Sequence, residues 1–389
     1  MLLSICIPTY NRPESLVNCL NSLAKQKNKK NFEVCISDNC SKKNIKNLIK
    51  PFRKKLNIKY KKNRKNLGFA LNVLKVSLMA KGEFIWFLGD DDLTVNNSVK
   101  YLTNLIKKKR NIDFFWINSY YLNALHLQKF SKPFDIKNLP KKMNTHSPLK
   151  KNRVLKFFEL IDHRICFDFL LGLYVNVFRR KLWNENLHVI NKKLMKDPRT
   201  WSNFDNTCFF IKVFCEAFQN SKAFFCAKPL SVNLSGIREW NDLDPFVEIV
   251  RIPEALDYYR SKGLGFFQYI YSKNYSLRNF FNYFFKIMIN RDKMGFAYIN
   301  LKKHFFKNLI YPNSWLSIIY FIYRKVKKFF PQVWDMASGK EMSVKSFAKK
   351  IWKRLNPSSK LIFSKREIDY KESYTINKKI LWKIKYRKP

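Results

Sequence analysis

The sequence predicts an α/β protein built on a mostly parallel, doubly wound sheet. Three observations carry this. Short apolar runs alternate with helical stretches over residues 1–120. The runs are apolar throughout, as strands covered on both faces must be. Three of them end in polar clusters, at the carboxyl edge where open α/β sheets bind ligands.

The elements follow in order. Leu2 to Ile7 reads as a buried strand ended by Pro8. Pro13 and Glu14 open a helix with Leu16, Leu20 and Leu23 on one face. "FEVCIS", from Phe32 to Ser37, is a second strand and stops at Asp38 and Asn39. A short third strand begins at Ile58, and the next helix carries Leu71, Leu74 and Leu78. "EFIWFL" is the fourth strand and ends at Gly89, Asp90, Asp91 and Asp92. Val99, Leu102, Leu105 and Ile106 mark a helix, and "DFFWIN" from Asp113 is a fifth strand. From Lys129 to Lys151 the chain is polar and broken by Pro133, Pro140 and Pro148, which reads as a connection or a mobile loop. "FLLGLYVNVF" reads as a further strand, and a helix begins near Asp205. Beyond Pro245 aromatic and basic residues interleave, as in basic amphipathic helices.

The expected organisation is therefore 1–120, a first α/β half; 121–245, a second half; 246–335, a helical basic extension; and 336–389, a basic tail. The chain holds 76 Lys+Arg against 28 Asp+Glu, a formal charge of +48. Such a charge suits nucleic acid or an anionic membrane surface. It also follows from a composition rich in Lys, Asn, Ile and Phe. Eight scattered cysteines form no CxxC pair, which predicts reduced, buried thiols. The N-terminus has no basic region ahead of a long apolar run, and the longest apolar candidate, "WLSIIYFIY", is too short to cross a bilayer. The expected location is cytoplasmic, peripheral to the inner face of the membrane.

Three adjacent aspartates are unusual in so basic a chain. Their charges repel, and holding them ionised calls for a cation or strong hydrogen bonds. Hard oxygen ligands suit Mg²⁺ or Mn²⁺, which bind through one or two carboxylates plus substrate phosphates. The plain alternative is a solvated acidic turn that caps the helix near Asn97.

"SICIPTYNR", "CISDNCS", "NLGFALNV" and "WFLGDDDL", in this order, resemble the nucleotide-sugar domain of family 2 glycosyltransferases with the GT-A fold. The next region is similar to abequosyltransferase-like enzymes of bacterial surface-polysaccharide synthesis in "FDFLLGLYVNVFRRKLW", "FDNTCFF" and "KPLSVN". The resemblance implies a metal-dependent, inverting transferase, with residues 1–120 as its nucleotide-sugar-binding half and 121–245 as its acceptor-binding half. It moves a sugar from a nucleotide-diphosphate sugar to an oligosaccharide or lipid-linked acceptor, with Mn²⁺ or Mg²⁺ as cofactor. Pro8, Thr9, Tyr10 and Asn11 would line the nucleotide. Asp38 would accept a hydrogen bond from the base, and Asn66, Gly68 and Asn72 would flank the ribose or diphosphate. Asp92 would ligate the metal, Asp91 would contact the ribose or sugar, and Asp90 would support them.

An inverting transfer needs a general base. Asp205 has the family's place for it, at the start of a helix, though the preceding Glu of the family is absent. Asp168, Glu239 and Asp242 are the other candidates, and Arg238 would close over the diphosphate. No histidine is given a role. The competing readings are a basic nucleic-acid-binding protein, for which no RRM, KH, helix-turn-helix or zinc signature appears, and a non-catalytic scaffold of the same fold.

Overall fold

The computed structural model describes residues 1–329, 332–335 and 340–343, apart from 28, 198, 200 and 237–240. Residues 1–321 form one compact unit and residues 322 onward a second. The first half runs β1 (Leu3–Thr9), α1 (Pro13–Ala24), β2 (Phe32–Asp38), α2 (Ile45–Ile49), β3 (Ile58–Lys62), α3 (Phe69–Leu78), β4 (Phe84–Phe87), β5 (Leu93–Thr94), α4 (Ser98–Lys108) and β6 (Phe114–Asn123). Next come β7 (Asn144–Thr145), β8 (Arg153–Lys156), β9 (Asn176–Arg179), α5 (Arg180–Glu185), α6 (Lys192–Met195), α7 (Asp205–Phe218) and β10 (Lys222–Ser235). Helices follow: α8 (Asp244–Phe246), α9 (Ile252–Ser261), α10 (Phe266–Ser276), α11 (Phe280–Ile289), α12 (Leu301–His304) and α13 (Pro312–Phe329). In the second unit β11 (Gln332–Asp335) pairs antiparallel with β12 (Lys340–Ser343).

The main sheet has the order β3-β2-β1-β4-β9-β6-β10-β5, with β7 on β6 and β8 on β10. β3, β2, β1 and β4 are mutually parallel, as are β6 and β10. This is the expected α/β class, with one difference. The fifth strand does not lie beside the fourth, because β9 enters antiparallel between β4 and β6. β9 is also shorter than its apolar run. Phe169 and Leu170 take positive φ and pack as loop residues in the core, so their hydrophobicity reports burial and not a strand.

Successive residues of a strand point to opposite faces. Cys6, Ile85, Phe87, Phe114, Trp116 and Phe178 therefore fill one core, beneath α3, α7 and α9. Leu3, Ile5, Ile7, Phe84, Trp86, Phe115 and Ile117 fill the other, beneath α1 and α4. Sequestering both faces makes the strands continuous apolar runs. On α3 the buried face is Ala70, Val73 and Val76, while Leu78 is exposed. The expected stripe of Leu71, Leu74 and Leu78 is thus one position out of phase. Small residues let α3 sit close to the sheet, and the larger leucines cover its flanks.

β1 runs through Pro8 instead of ending before it. β4 pairs only with Leu3 to Cys6, so the missing N–H of Pro8 leaves no ladder bond unmade on that side. The extension carries Thr9 to the carboxyl edge. Between β6 and β8 the chain is a connection, anchored on α1. Phe134 is buried, its N–H donates to Asn18 Oδ1 (2.8 Å), and its carbonyl accepts from Asn21 Nδ2 (2.8 Å), both on α1. All eight cysteines are free, and seven of them are buried. α9 belongs to the main core, where the buried Tyr259 donates to the carbonyl of Phe169 (2.9 Å). α8 and α11 build a further cluster around Phe246, Phe280 and Phe284. Phe280 and Phe284 are thus core residues, and Phe285 is exposed.

Gly82, two residues before β4, runs close against the start of β1. A Cβ there would lie 2.7 Å from the backbone of both Leu3 and Ser4, and neither can step aside. Gly82→Ala should destabilise the protein by about 1–3 kcal/mol, the usual range for overpacking. A lowered midpoint of urea unfolding at unchanged slope checks this; an unchanged midpoint would show that the edge gives way freely.

Candidate active site

Three loops leave the carboxyl ends of β1, β2 and β4 and meet. After β1 the chain turns at Asn11, whose φ of 52° lies in the left-handed region that Asn tolerates. Asn11 N–H donates to Ser41 Oγ and its Oδ1 accepts from Lys42 N–H, both at 2.9 Å. The loops after β1 and β2 are thereby stitched together. Tyr10 and Asn11 remain exposed at the rim and Pro8 is half-buried.

The aspartate turn after β4 is the centre of the site. Asp90, Asp91 and Asp92 are 5%, 7% and 2% exposed, so they are not a solvated acidic cap. Thr9 Oγ1 donates to Asp90 Oδ2 at 2.7 Å. Arg12 Nη1 lies 3.3 Å from Asp91 Oδ2 and 3.5 Å from Asp90 Oδ1. Asp92 Oδ2 accepts from Gly89 N–H (3.1 Å) and Oδ1 accepts from Asn233 Nδ2 (2.7 Å), a residue of β10. The turn needs glycine at position 89: a Cβ would stand 2.6 Å from Asp91 Oδ1 and 2.8 Å from Asp92 Oδ2. Burial, and then the charge of Asp91, push the Asp90 carboxyl up to about 7, against the pull of Arg12 and Thr9. Hard oxygen donors crowded until one of them resists ionisation fit a divalent cation of the Mg²⁺ or Mn²⁺ type.

The second cluster is a network of amides. Asp38 is fully buried and accepts from Ser41 N–H and from the Tyr60 hydroxyl, each at 2.8 Å. Burial and this bond raise the Tyr60 phenol. Asn39 Nδ2 donates to Asn66 Oδ1 (2.7 Å) and to the Gly68 carbonyl (3.2 Å). Asn72 Oδ1 accepts from Ser37 Oγ (2.7 Å) and Asn63 Nδ2 (3.0 Å). Asp38 and Asn72 therefore brace the loops from beneath, while Asn66 is exposed and Gly68, at φ 80°, begins α3.

Asp205 stands elsewhere. It opens α7, is 2% exposed, accepts from Asn191 N–H (3.0 Å) and pairs with Lys212 Nζ (2.7 Å). These bonds do not join it to the aspartate turn. α7 packs on α3, the helix that Gly68 starts. Arg238 and Glu239 lie outside the described residues. Arg12, Asn39, Asn63 and Asn233 went unassigned from sequence. The motifs "PTYNR", "SDN" and "PLSVN" contain three of them, but an amide's partner across the sheet has no local signature.

With two parallel groups of strands divided by the antiparallel β9, the mixed sheet has the GT-A fold. Residues 4–166 match the model of glycosyl transferase family 2. Over 115 residues the chain is 38% identical to the abequosyltransferase RfbV of Salmonella typhimurium, covering 29% of this chain and 34% of that one. Over 102 residues it is 36% identical to the poly(ribitol-phosphate) beta-N-acetylglucosaminyltransferase TarS of Staphylococcus aureus, covering 26% and 18%. The chain thus spans about a third or less of the length of these curated relatives. The fold is shared with the crystal structure of S. aureus TarS 1-349 in complex with UDP-GlcNAc, at a TM-score of 0.50 and 20% identity over 73% of each chain.

The raised Asp90 carboxyl has a consequence for stability. An unfolded aspartate titrates near 3.9, whereas Asp90 in the fold titrates at about 7. The folded state holds the proton more tightly, so this contribution is full below about pH 4 and is lost as the pH rises through the folded value. With metal chelated, Asp90→Asn should melt above the wild type at pH 8, and the gap should close as the pH falls towards 4. Equal melting temperatures across that range would mean that the cluster's charge is compensated in the fold.

Proposed function

We propose that the protein is an inverting, metal-dependent glycosyltransferase. It moves a sugar from a nucleotide-diphosphate sugar to a hydroxyl of an oligosaccharide acceptor, carried on a lipid, in bacterial surface-polysaccharide synthesis. The observation that carries this reading is the buried aspartate turn, held by Thr9 and Arg12 on one side and Asn233 on the other. The names of the two relatives, both sugar transferases, support it.

Asp92 would hold Mn²⁺ or Mg²⁺, which when bound supplies countercharge to the departing nucleotide diphosphate, and Asp91 would contact the ribose or sugar. The chain's own residues do the rest. Tyr10, Asn11 and Asn66, at the exposed rim, meet the nucleotide, and the amides of Asn39, Asn63 and Asn72 keep that rim in place. The acceptor oxygen attacks the anomeric carbon as the bond to phosphate breaks. Its proton passes to a general base, for which we take Asp205. Lys212 gives this buried carboxylate its countercharge.

A panel of nucleotide sugars tests the reading. Release of nucleotide diphosphate from one donor is expected with Mn²⁺ and should stop with EDTA. Asp92→Asn should abolish it. Asn233→Ala should weaken it, by freeing the Asp92 carboxylate from its clamp. Asp205→Asn should lower transfer by roughly 10²–10⁴-fold, as general-base removal does, with donor affinity unchanged. Loss of donor affinity in Asp205→Asn would put that residue in the nucleotide site. No release from any donor, with salt-sensitive RNA binding, would favour the nucleic-acid reading.

We further propose that the first unit docks on an anionic membrane. Among the described residues no helix is long and apolar enough to cross a bilayer. α13 nonetheless exposes Trp315, Leu316, Ile319 and Tyr320. An amphipathic helix of this kind lies in the headgroup boundary, with neighbouring Lys and Arg meeting anionic lipid. The protein should float with anionic vesicles at low salt and partly dissociate at high salt. Leu316→Glu with Ile319→Glu should reduce flotation without reducing donor hydrolysis. Indifference to anionic vesicles at every salt concentration would leave this face without a lipid role.

A further inference from the structure

The loops between β7 and β9 assemble a second constellation, apart from the aspartate turn. His146 is remote in sequence from the neighbours Cys166 and Asp168, yet the donor atoms of all three lie within 4.8 Å of one another. His146 and Cys166 are buried, at 5% and 0% exposure. Cys166 Sγ stands 2.8 Å from Asp168 Oδ1, and His146 Nε2 stands 3.7 Å from Asp168 Oδ2. The second distance is too long for a hydrogen bond. Nε2 is fully enclosed and has no hydrogen-bond partner.

The ring is nonetheless held firmly. Its Nδ1 lies 2.5 Å from the Tyr121 hydroxyl and 3.1 Å from that of Tyr174. Phe167 stacks on it at 4.6 Å and Tyr121 at 5.3 Å. One nitrogen is thus anchored to oxygen partners, and the other points without a partner at a carboxylate and a thiol. Metal-ligating imidazoles are oriented in this way, by an oxygen partner on the nitrogen that does not bind the metal. Two metal–ligand bonds of about 2.1 Å at a tetrahedral angle separate their ligand atoms by about 3.4 Å. The observed 3.7 Å is close to that spacing.

We propose that His146 Nε2, Cys166 Sγ and Asp168 Oδ2 bind one Zn²⁺, with water in the fourth position. A mixed set of nitrogen, sulfur and oxygen donors suits Zn²⁺, while Mg²⁺ and Mn²⁺ prefer the all-oxygen turn. On binding, the thiol proton leaves to solvent and the Zn–S bond forms. The ion ties the segment around β7 to the loop before β9. Through Tyr121 it also leans on β6. Tyr121 is the register partner of Asn233, the residue that holds Asp92. The proposal is independent of sugar transfer.

The test uses full-length protein purified without chelator. Elemental analysis should find about one zinc per chain. After stripping, Co²⁺ should give a thiolate-to-Co²⁺ charge-transfer absorption. Cys166→Ser and His146→Gln should lose both signals, while Asp92→Asn keeps both. Wild-type protein that retains no zinc and shows no such absorption overturns the proposal, and this needs no variant to fold. An absorption that survives Cys166→Ser overturns it as well.

Discussion

Three carboxylates lie almost wholly out of water in one turn, and the groups that hold them come from remote parts of the chain. Thr9 reaches Asp90 from the end of β1, Arg12 reaches Asp90 and Asp91 from the start of α1, and Asn233 reaches Asp92 from β10. Buried charge is costly unless hydrogen-bonded and paired. The turn therefore requires that β1, β4 and β10 finish at fixed heights. A register slip of one residue in β1 would replace the Thr9 hydroxyl by Pro8 or Tyr10 and turn every core side chain to the wrong face. The site and the sheet register are one constraint.

The rest of the fold serves that constraint from both faces. α1 and α4 close one core and α3, α7 and α9 the other, so the strand ends cannot shift independently. The amide network of Asn39, Asn63, Asn66 and Asn72 carries the fixation outward to the exposed rim. β9 has a less obvious part. Its antiparallel insertion between β4 and β6 separates the two parallel groups of strands. It thereby makes room on the carboxyl edge for the loops that carry His146 and Asp168.

The parallel half was largely legible in the sequence. Apolar runs, helix openings at Pro13 and Gly68, and polar punctuation are local signals, since they arise from backbone periodicity and from burial of both sheet faces. The aspartates were legible for a related reason, because a cluster of like charges at a strand's end is conspicuous in any chain. What surrounds them was not. Phe169 and Leu170 looked like strand residues because hydrophobicity records burial, and a packed loop is as buried as a strand. The stretch around Phe134 showed chiefly prolines and lysines, while one phenylalanine and two asparagines of α1 decide where it packs.

By itself, then, the sequence determined the fold class, the sheet edge where the polar clusters meet and the aspartates gathered there. Each of these depends on residues near one another in the chain. The tertiary structure alone decided the partners. Thr9 and Asp90 are 81 residues apart, and Asp92 and Asn233 are 141. It also decided that His146, with no motif around it, faces Cys166 and Asp168. A hydrogen bond or a ligand set depends on distances of a few ångströms in space, and no local periodicity encodes which distant segments come that close.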